Sequence, residues 1–397
     1  MQNLSQFYEF MDSIQTVRRM ITGYYLIQAH HERHVESLEN ALSAMDNLPG
    51  DSLDKRLDAA GRTVTVTIDY ERRELEKDVY FLTHSDEEFL DYLSRMHDGF
   101  AEEVAQTVEF LEAHEIRTFV SDRDGTVNNY CGRYRSSHQS VWNAVYLTEF
   151  VRAIPAAPVL LTSAPLFEKG LLAMSAMPEH STHYGGSSGR EFCDREGNRG
   201  ALELSDDQAS ALKELNARID GLLATPEFAT FALIGSGLQH KYGQTTVARQ
   251  DIHGSIPDEL SDEFLETIRS TVRDVDPEEA VFGIEDTGKD VEIMLTVEDG
   301  RRFSKGDGLA FLNDALGLGL SDSPCLICGD TSSDVPMVEK AVELGGSELT
   351  AAVFVTSDDD LRRRVAAVLD RSHFVSTPDA LVAALHRLAL DRGTSEG

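Results

Sequence analysis

Two acidic clusters and a lysine have the residue types and the order that phosphoryl transfer requires. The run 122–126 reads DRDGT, and the run 329–334 reads GDTSSD. Lys305 offers a cation, and Thr162 and Ser163 offer hydroxyl donors. Phosphoryl transfer needs an in-line nucleophile and neutralisation of the charge on the equatorial oxygens. Each pattern alone could be a turn or a helix cap, but together they supply every group that one such site would use.

These residues follow apolar runs that predict the strands of one sheet. The predicted strands are 116–121, 157–161, 324–328 and 351–355, with predicted helices at 140–153, 308–316, 335–344, 358–369 and 378–388. Strands that alternate with helices predict an α/β fold with a doubly wound parallel sheet. Ligands of such sheets bind beyond the carboxyl ends of the strands. Asp122, Ser163 and Asp330 each stand at such an end, so the fold would gather them at one edge.

Residues 116–397 resemble the haloacid-dehalogenase superfamily of phosphatases. The positions similar to its four motifs are the run 122–126, Ser163 (or Thr162), Lys305 with Gly306, and Asp330 with Asp334. The resemblance implies that Asp122 is the nucleophile and forms an aspartyl-phosphate. Asp124 would protonate the leaving alkoxide and then help to deprotonate the attacking water. Gly125 would permit the tight turn that aims both carboxylates the same way.

The resemblance also implies a Mg²⁺ cofactor. Asp122, the main-chain carbonyl of Asp124 and Asp330 would be its ligands, because Mg²⁺ prefers oxygen ligands.

Three further side chains have implied roles around the phosphoryl group. Ser163 (or Thr162) would donate a hydrogen bond to its oxygens, and Lys305 would balance their charge. Asp334 would orient Lys305 or a water at the metal.

Spacing between the motifs predicts the domain organisation. The gap between Ser163 and Lys305 is long enough to hold an inserted cap that closes over the site. Strand-like runs in this gap lie at 231–234, 244–248 and 291–297, and helix-like runs lie at 206–222 and 258–272. The predicted domains are a helical domain (1–115), a first segment of the hydrolase core (116–165), an α/β cap (166–300) and a second segment of the core (301–397).

Within the cap, the resemblance narrows to trehalose-phosphate phosphatases. It is carried by the glycine-rich run 186–191, by Lys241 followed by Arg249, and by the Glu-Ile stretch 291–293 ahead of Lys305. The substrate-binding residues that it implies are Thr162 at the phosphate and Arg190, Lys241, Arg249 and Glu292 at the sugar.

The chain departs from the usual pattern of that family at several positions. Arg123 replaces an aromatic residue, the run 163–165 reads SAP in place of SGR, Ser188 replaces a histidine and Val335 replaces an acid. None of these changes removes the nucleophile or a metal ligand. They leave sucrose phosphate, a glucosyl- or mannosyl-glycerate phosphate and a hexose phosphate open as substrates beside trehalose phosphate.

Residues 1–115 carry no motif of this chemistry. Apolar residues recur at helical spacing over 4–21 and 89–111, and 63–68 alternates like a strand. We expect an accessory or homo-oligomerisation domain. A rival interpretation is that these helices bind a partner protein and the hydrolase core is a non-catalytic scaffold.

Composition narrows the function classes further. Acidic residues number 69 against 36 basic residues, and the net charge is -33. A field of that sign repels nucleic acids and anionic membranes. The acidic, lysine-poor composition is similar to that of proteins from salt-loaded (halophilic) cytoplasms. No apolar span or secretory signal is evident, so we expect a cytoplasmic protein.

Overall fold

The N-terminal region is built from helices and one β-hairpin. The computed structural model describes residues 1–30, 32–154, 158–296 and 301–395. The elements of this region are α1 (Leu4–Leu26), α2 (Glu32–Asp46), β1 (Asp54–Ala59), β2 (Arg62–Thr67), α3 (Asp69–Thr83), α4 (Asp86–Met96) and α5 (Phe100–Glu112). The strand predicted at 63–68 is confirmed as β2, which pairs with β1. The run 89–111 is two helices, separated where Gly99 adopts a left-handed conformation (φ 72°).

The core sheet has eight strands in the described residues. Its first segment comprises β3 (Thr118–Ser121), α6 (Val141–Ala153), β4 (Pro158–Leu161), α7 (Leu171–Met174), β5 (His183–Gly186), β6 (Glu191–Cys193) and β7 (Arg199–Ala201). Its second segment, which follows the cap, comprises α10 (Lys305–Leu316), β12 (Cys325–Gly329), α11 (Val335–Gly345), β13 (Thr350–Val355), α12 (Asp359–Val368), β14 (Ser372–Val375) and α13 (Pro378–Ser395). The strands lie in the order β14-β13-β12-β3-β4-β5-β6-β7, and those from β14 to β5 are parallel. The predicted fold class is therefore confirmed, although position 157 of the predicted strand lies outside the described residues.

The boundary between core and cap lies later than predicted. β5, β6 and β7 all follow residue 165, yet they extend the core sheet beyond β4. The cap therefore begins after Ala201 rather than at residue 166, and the run 186–191 belongs to the core. These strands are only three or four residues long, and β5 ends in two glycines, which have low strand propensity. Gly186 is needed for packing, because a Cβ there would lie 2.7 Å from Leu166.

The cap is a four-stranded antiparallel sheet with two long helices. Its elements are α8 (Asp206–Leu223), β8 (Leu238–Lys241), β9 (Gln244–Ala248), α9 (Asp258–Val275), β10 (Phe282–Asp286) and β11 (Asp290–Leu295). The runs 244–248 and 291–297 are confirmed as β9 and β11, with residue 297 and the predicted boundary at 300 outside the described residues. The strand predicted at 231–234 is wrong, because a 3₁₀ turn spans Ala229–Ala232. The ring of Phe231 stacks on Phe264 of α9 at 4.0 Å, and an apolar run this short does not separate a strand from a buried turn.

The N-terminal helices pack against α6 of the core. The ring of Tyr146 meets Phe81 of α3 edge-on at 5.7 Å, and the buried Trp142 lies 5.5 Å from Phe89 of α4. Replacing such a buried aromatic residue with alanine costs about 3–5 kcal/mol of folding stability. Apolar side chains of the N-terminal region are thus buried against the core of the same chain. Homo-oligomerisation through these helices stays a prediction.

The sequence shows no apolar span, and the length and hydropathy of the helices can be compared with that expectation. None of the helices within the described ranges is long and apolar enough to cross a membrane. The cytoplasmic location and the salt-adapted surface stay predictions.

Candidate active site

The nucleophile candidate and the second acidic cluster meet at the carboxyl edge of the core sheet. Asp122 directly follows β3, and Asp330 directly follows β12, which is the parallel neighbour of β3. The main-chain N–H of Asp122 donates to the carbonyl of Cys328 in β12 at 3.0 Å. Adjacent parallel strands therefore bring the two carboxylates together at the edge that the strand ends predicted.

Lys305 reaches this cluster from the first residue of α10. Its Nζ lies 2.8 Å from Oδ1 of Asp122 and 2.5 Å from Oδ1 of Asp334, and all three side chains are buried. Gly306 allows the helix to approach so closely, because a Cβ there would lie 2.4 Å from the carbonyl oxygen of Pro336. The lysine is thus a fixed part of the cluster.

Asp334 has both carboxylate oxygens occupied. Oδ1 accepts from Lys305, and Oδ2 accepts the main-chain N–H groups of Asp330 at 3.1 Å and Thr331 at 2.9 Å. The hydroxyl of Thr331 adds a third donor to Oδ2 at 3.0 Å. These contacts suit the orienting role predicted for Asp334.

Asp124 lies at the rim of the cluster and faces the segment that follows it. Its Oδ1 accepts from Nη1 of Arg123 and from Oγ of Ser137, both at 2.6 Å, and from Nδ2 of Asn128 at 3.3 Å. Gly125 has φ 91°, and a Cβ there would lie 2.1 Å from Oδ2 of Asp330. The glycine therefore provides both the turn and the space for the second acidic cluster.

The cluster carries more negative than positive charge. Burial raises the pKa of Asp122 to about 6, against the opposing effect of Lys305. Burial and the neighbouring carboxylates of Asp122 and Asp334 raise the pKa of Asp330 to about 8. Burial also disfavours the charged form of Asp334, but the Lys305 ammonium and the main-chain donors hold its pKa below the usual range. Three carboxylates thus share one ammonium group.

The same residues fit a divalent cation. Asp122, Asp330 and Asp334 each present a carboxylate oxygen, and these oxygens lie within 4.8 Å of one another. Hard oxygen donors and excess negative charge are what Mg²⁺ prefers. Asp122 and Asp330 are the two side chains predicted as ligands. The main-chain carbonyl of Asp124 as the third ligand stays a prediction.

A cavity of about 350 Å³ opens directly over this cluster, between core and cap. Its core side is lined by residues that include Asp122, Asp124, Thr162, Ser163, Lys305 and Asp330. Oγ1 of Thr162 accepts the main-chain N–H of Ala164 at 3.2 Å, and Oγ of Ser163 accepts from Ser188 at 3.3 Å. Both hydroxyls thus lie at the cavity, and which of them contacts phosphate stays a prediction.

Lys241 is the predicted cap residue that lines the cavity. It ends β8 and is buried, and its Nζ has no hydrogen-bond or ion-pair partner among the residues described. Burial lowers its pKa, and the carboxylates of Glu292 and Asp290 oppose this effect. A cation of this kind suits an anionic or hydroxyl-rich ligand.

The other three predicted sugar contacts do not line the cavity. Arg249 pairs with Asp262 at 2.6 Å and Asp286 at 2.7 Å, so it cross-links the cap. Arg190 is buried with its guanidinium 4.3 Å from the ring of Phe303, and it lies next to β6 of the core. Glu292 of β11 and Gln239 of β8 both pair with Thr246 of β9, so the whole of β9 separates Glu292 from β8. The structure does not place these three side chains at the cavity wall, so it gives no support to their predicted contact with the sugar. Resemblance of charged residues does not specify the direction of their side chains.

Several lining residues were not predicted. On the cap side they include Ser236, Gln239, Gln250, Lys289 and Asp290, and on the core side they include Arg123, Tyr130, Arg133, Tyr134 and Ser137. Gln239 could have been found, because residues two apart in a strand share a face and Lys241 was already selected. Arg123 lies within the 122–126 motif, and the other core residues lie in an irregular segment directly after it. Proximity along the chain was the only signal for them.

The parallel sheet with this acid–lysine cluster at its carboxyl edge defines the class of haloacid-dehalogenase-type hydrolases. Residues 119–381 match the family described as "Trehalose-6-phosphate phosphatase, C-terminal". Residues 3–100 match the "Trehalose-6-phosphate phosphatase N-terminal helical bundle domain". The chain belongs to the trehalose-6-phosphate phosphatase family.

Curated relatives agree with this assignment. The chain is 33% identical over 414 residues to alpha,alpha-trehalose-phosphate synthase (UDP-forming) 1 of Caenorhabditis elegans, covering 96% of this chain and 31% of that protein. It is 30% identical over 425 residues to a trehalose-phosphatase of Brugia malayi, covering 98% and 86%. The chain therefore spans about a third of the length of the synthase-named relatives that it matches.

A solved structure of Aspergillus fumigatus trehalose-6-phosphate phosphatase is also similar. It is 15% identical with a TM-score of 0.42, and the match covers 72% of this chain and 97% of that one. The family assignment rests on the sequence matches, since a structural likeness at this level does not decide it.

Proposed function

We propose that the protein is a Mg²⁺-dependent phosphatase that hydrolyses trehalose 6-phosphate through an aspartyl-phosphate on Asp122. The observation that carries this proposal is the contact of Asp122 with Lys305, beside Asp330, at the floor of a cavity that the cap covers. Family membership and the trehalose-phosphatase names of the relatives support the substrate.

The reaction would proceed in two displacements at phosphorus. An oxygen of Asp122 attacks, the bond from phosphorus to the sugar oxygen breaks, and Asp124 donates its proton to that oxygen. Asp124, now ionised, takes a proton from water as the water attacks the phosphorus of the aspartyl-phosphate. The bond from phosphorus to Asp122 then breaks, and phosphate and the original carboxylate are restored.

Besides a nucleophile and an acid, the reaction requires that the negative charge of the phosphoryl oxygens be neutralised. Lys305 and the hydroxyl of Thr162 or Ser163 would bind the equatorial oxygens. Asp122, Asp330 and the main-chain carbonyl of Asp124 would hold Mg²⁺, which when bound supplies the positive charge that lets two anions approach. Asp334 keeps Lys305 directed into the site through the 2.5 Å contact.

The cap wall would recognise the sugar. Lys241 presents an ammonium group, and Gln239 and Asp290 present hydrogen-bonding groups to the same cavity. A disaccharide offers many hydroxyl groups, and a few fixed polar groups are enough to select among sugars. We propose these residues, in place of Arg249 and Arg190, as sugar contacts.

The first test is phosphate release from a panel of sugar phosphates with Mg²⁺, with and without EDTA, at low and high salt. The panel contains trehalose 6-phosphate, sucrose phosphate, a glycosyl-glycerate phosphate and hexose 6-phosphates. We expect selective release from trehalose 6-phosphate that EDTA abolishes and added Mg²⁺ restores. Release mainly from another member would overturn the substrate assignment while keeping the mechanism. No release by folded protein at either salt level would favour the scaffold interpretation.

A further inference from the structure

One side of α3, in the N-terminal region, lies against the segment 128–142 that follows the nucleophile motif. Tyr70, Glu71, Glu74 and Asp78 recur at the spacing of one helix face. Tyr70 and Glu71 contact the portion of the segment next to Asp124, and Asp78 accepts the main-chain N–H of Val141 at 2.6 Å, at the start of α6. The N-terminal region thus touches the wall of the active site directly.

Glu71 makes the most enclosed of these contacts. Its side chain is fully buried, and its Oε1 accepts from Nη2 of Arg133 and from Oγ of Ser136, both at 2.5 Å. The thiol of Cys131 lies 3.7 Å from the same oxygen. One carboxylate therefore holds three residues of the segment, and two of them, Cys131 and Arg133, line the cavity.

Ser137, the residue after Ser136, connects the Glu71 contacts to Asp124. Ser136 ends a 3₁₀ turn, and Oγ of Ser137 donates to Oδ1 of Asp124 at 2.6 Å. Nη2 of Arg123 donates to the main-chain carbonyl of Ser137 at 2.6 Å. A shift of the turn would move the hydroxyl that orients Asp124.

Tyr70 provides a second connection on the other side of Asp124. Its hydroxyl donates to the main-chain carbonyl of His138 at 2.8 Å and accepts from Nδ2 of Asn128 at 3.1 Å. Nδ2 of Asn128 also lies 3.3 Å from Oδ1 of Asp124. Two consecutive residues of α3 thus support two of the three side chains that donate to this carboxylate, Ser137 and Asn128.

We propose that Glu71, assisted by Tyr70, is a positioning residue that holds Asp124 in place to protonate the leaving group. This inference rests on the proposed function. A buried ion pair stabilises a fold little better than apolar residues of the same size, but it specifies one geometry. The N-terminal region is on this account a component of the active site rather than an accessory.

The test compares two leaving groups in the full-length chain. A sugar oxygen leaves with difficulty unless it is protonated, whereas 4-nitrophenolate leaves as a stable anion and needs no acid. The quantity compared is kcat/KM, which covers formation of the aspartyl-phosphate and not its hydrolysis, a later step in which Asp124 acts on water for both substrates. We expect Glu71→Gln to lower kcat/KM for trehalose 6-phosphate by about tenfold or more, within the range of general acid catalysis. We expect kcat/KM for 4-nitrophenyl phosphate to fall by less than about threefold, because Asp122 and Lys305 are unchanged.

Two further variants keep the test decisive. Tyr70→Phe removes only a hydroxyl and should change the ratio of the two kcat/KM values in the same direction by a smaller factor, even if Glu71→Gln does not fold. Glu76→Gln is the matched control, because Glu76 lies on the same helix in a partly exposed pair with Arg72 at 2.9 Å. It should leave the ratio unchanged.

The outcomes separate this inference from the proposed function. Equal loss on both substrates in Glu71→Gln and Tyr70→Phe, or no loss on either, would overturn the positioning role. Wild-type hydrolysis of 4-nitrophenyl phosphate without hydrolysis of trehalose 6-phosphate would overturn the proposed substrate instead. In that case the same ratio, measured with glucose 6-phosphate, decides the positioning role.

Discussion

The residues at one end of the cavity could be predicted from local sequence, whereas most of those at the other end could not. At the end where we propose that phosphate binds (the phosphate end), Asp122, Lys305, Asp330 and Asp334 are within contact of one another or of a shared neighbour. At the end where we propose that the sugar binds (the sugar end), Lys241 alone among the predicted cap residues lines the cavity.

The difference has a geometric cause. A residue directly after a parallel strand lies at the carboxyl edge of the sheet whatever its neighbours are. A residue in an antiparallel cap strand can face either side, and its distance from the ligand depends on strand order. Arg249 illustrates this, because it follows β9 and is turned toward Asp262 and Asp286.

Asp122→Asn should produce the largest effect and would establish that the phosphate end carries the chemistry. We expect kcat to fall by at least about 10³-fold, because the amide is not a nucleophile. Binding of trehalose 6-phosphate, measured by calorimetry, should persist, since the shape of the side chain is kept. Wild-type turnover in a preparation shown to be free of contaminating phosphatase would contradict the mechanism.

Lys241→Met and Arg249→Met test the contrast within the cap. For Lys241→Met we expect KM for trehalose 6-phosphate to rise about tenfold or more, as for a lost hydrogen bond to a charged group. Its Tm should not fall, because burial already opposes the charge on Lys241. Arg249→Met should lower the free energy of unfolding by about 1–2 kcal/mol and leave KM within about twofold. The reverse pattern would show that Arg249, rather than Lys241, contacts the sugar.

Asp330→Asn should give a smaller effect that depends on pH. The pKa of Asp330 is raised to about 8 from an ordinary value of 3.8. Between these values the folded state keeps a proton that the unfolded state has released, so stability falls as pH rises through this window. In EDTA, we expect the variant to melt about 3 °C or more above the wild type at pH 8, and the difference to shrink toward pH 4. If the Tm of the variant and that of the wild type change in parallel between pH 4 and pH 8, the charge of Asp330 does not destabilise the folded state.

Much of the core could be predicted from the sequence, and the reasons are local. Strands β3, β4, β12 and β13 are apolar runs buried on both faces, and candidate site residues follow three of them. β5 to β7 could not be predicted because short strands that contain glycine or polar residues lack such a pattern. The cap boundary therefore moved from residue 166 to beyond Ala201.

The N-terminal region shows the opposite situation. Helical spacing predicted helices over 4–21 and 89–111, but no pattern in the sequence selected Tyr70 or Glu71. Only the packing of α3 against the segment 128–142 shows that Glu71 is fully buried on Arg133 and Ser136. These partners are 62 and 65 residues away along the chain, and no local pattern encodes such a contact.

The sequence by itself determined the α/β class, the four motifs and the edge of the sheet where Asp122, Ser163 and Asp330 meet, because the ends of the strands follow from apolar runs and the carboxyl ends of parallel strands share one edge. The tertiary structure alone decided which polar residues of the cap line the cavity, and that α3 supports the neighbours of Asp124. Those features depend on the direction of individual side chains and on contacts between distant segments, which hydrophobic patterning does not specify.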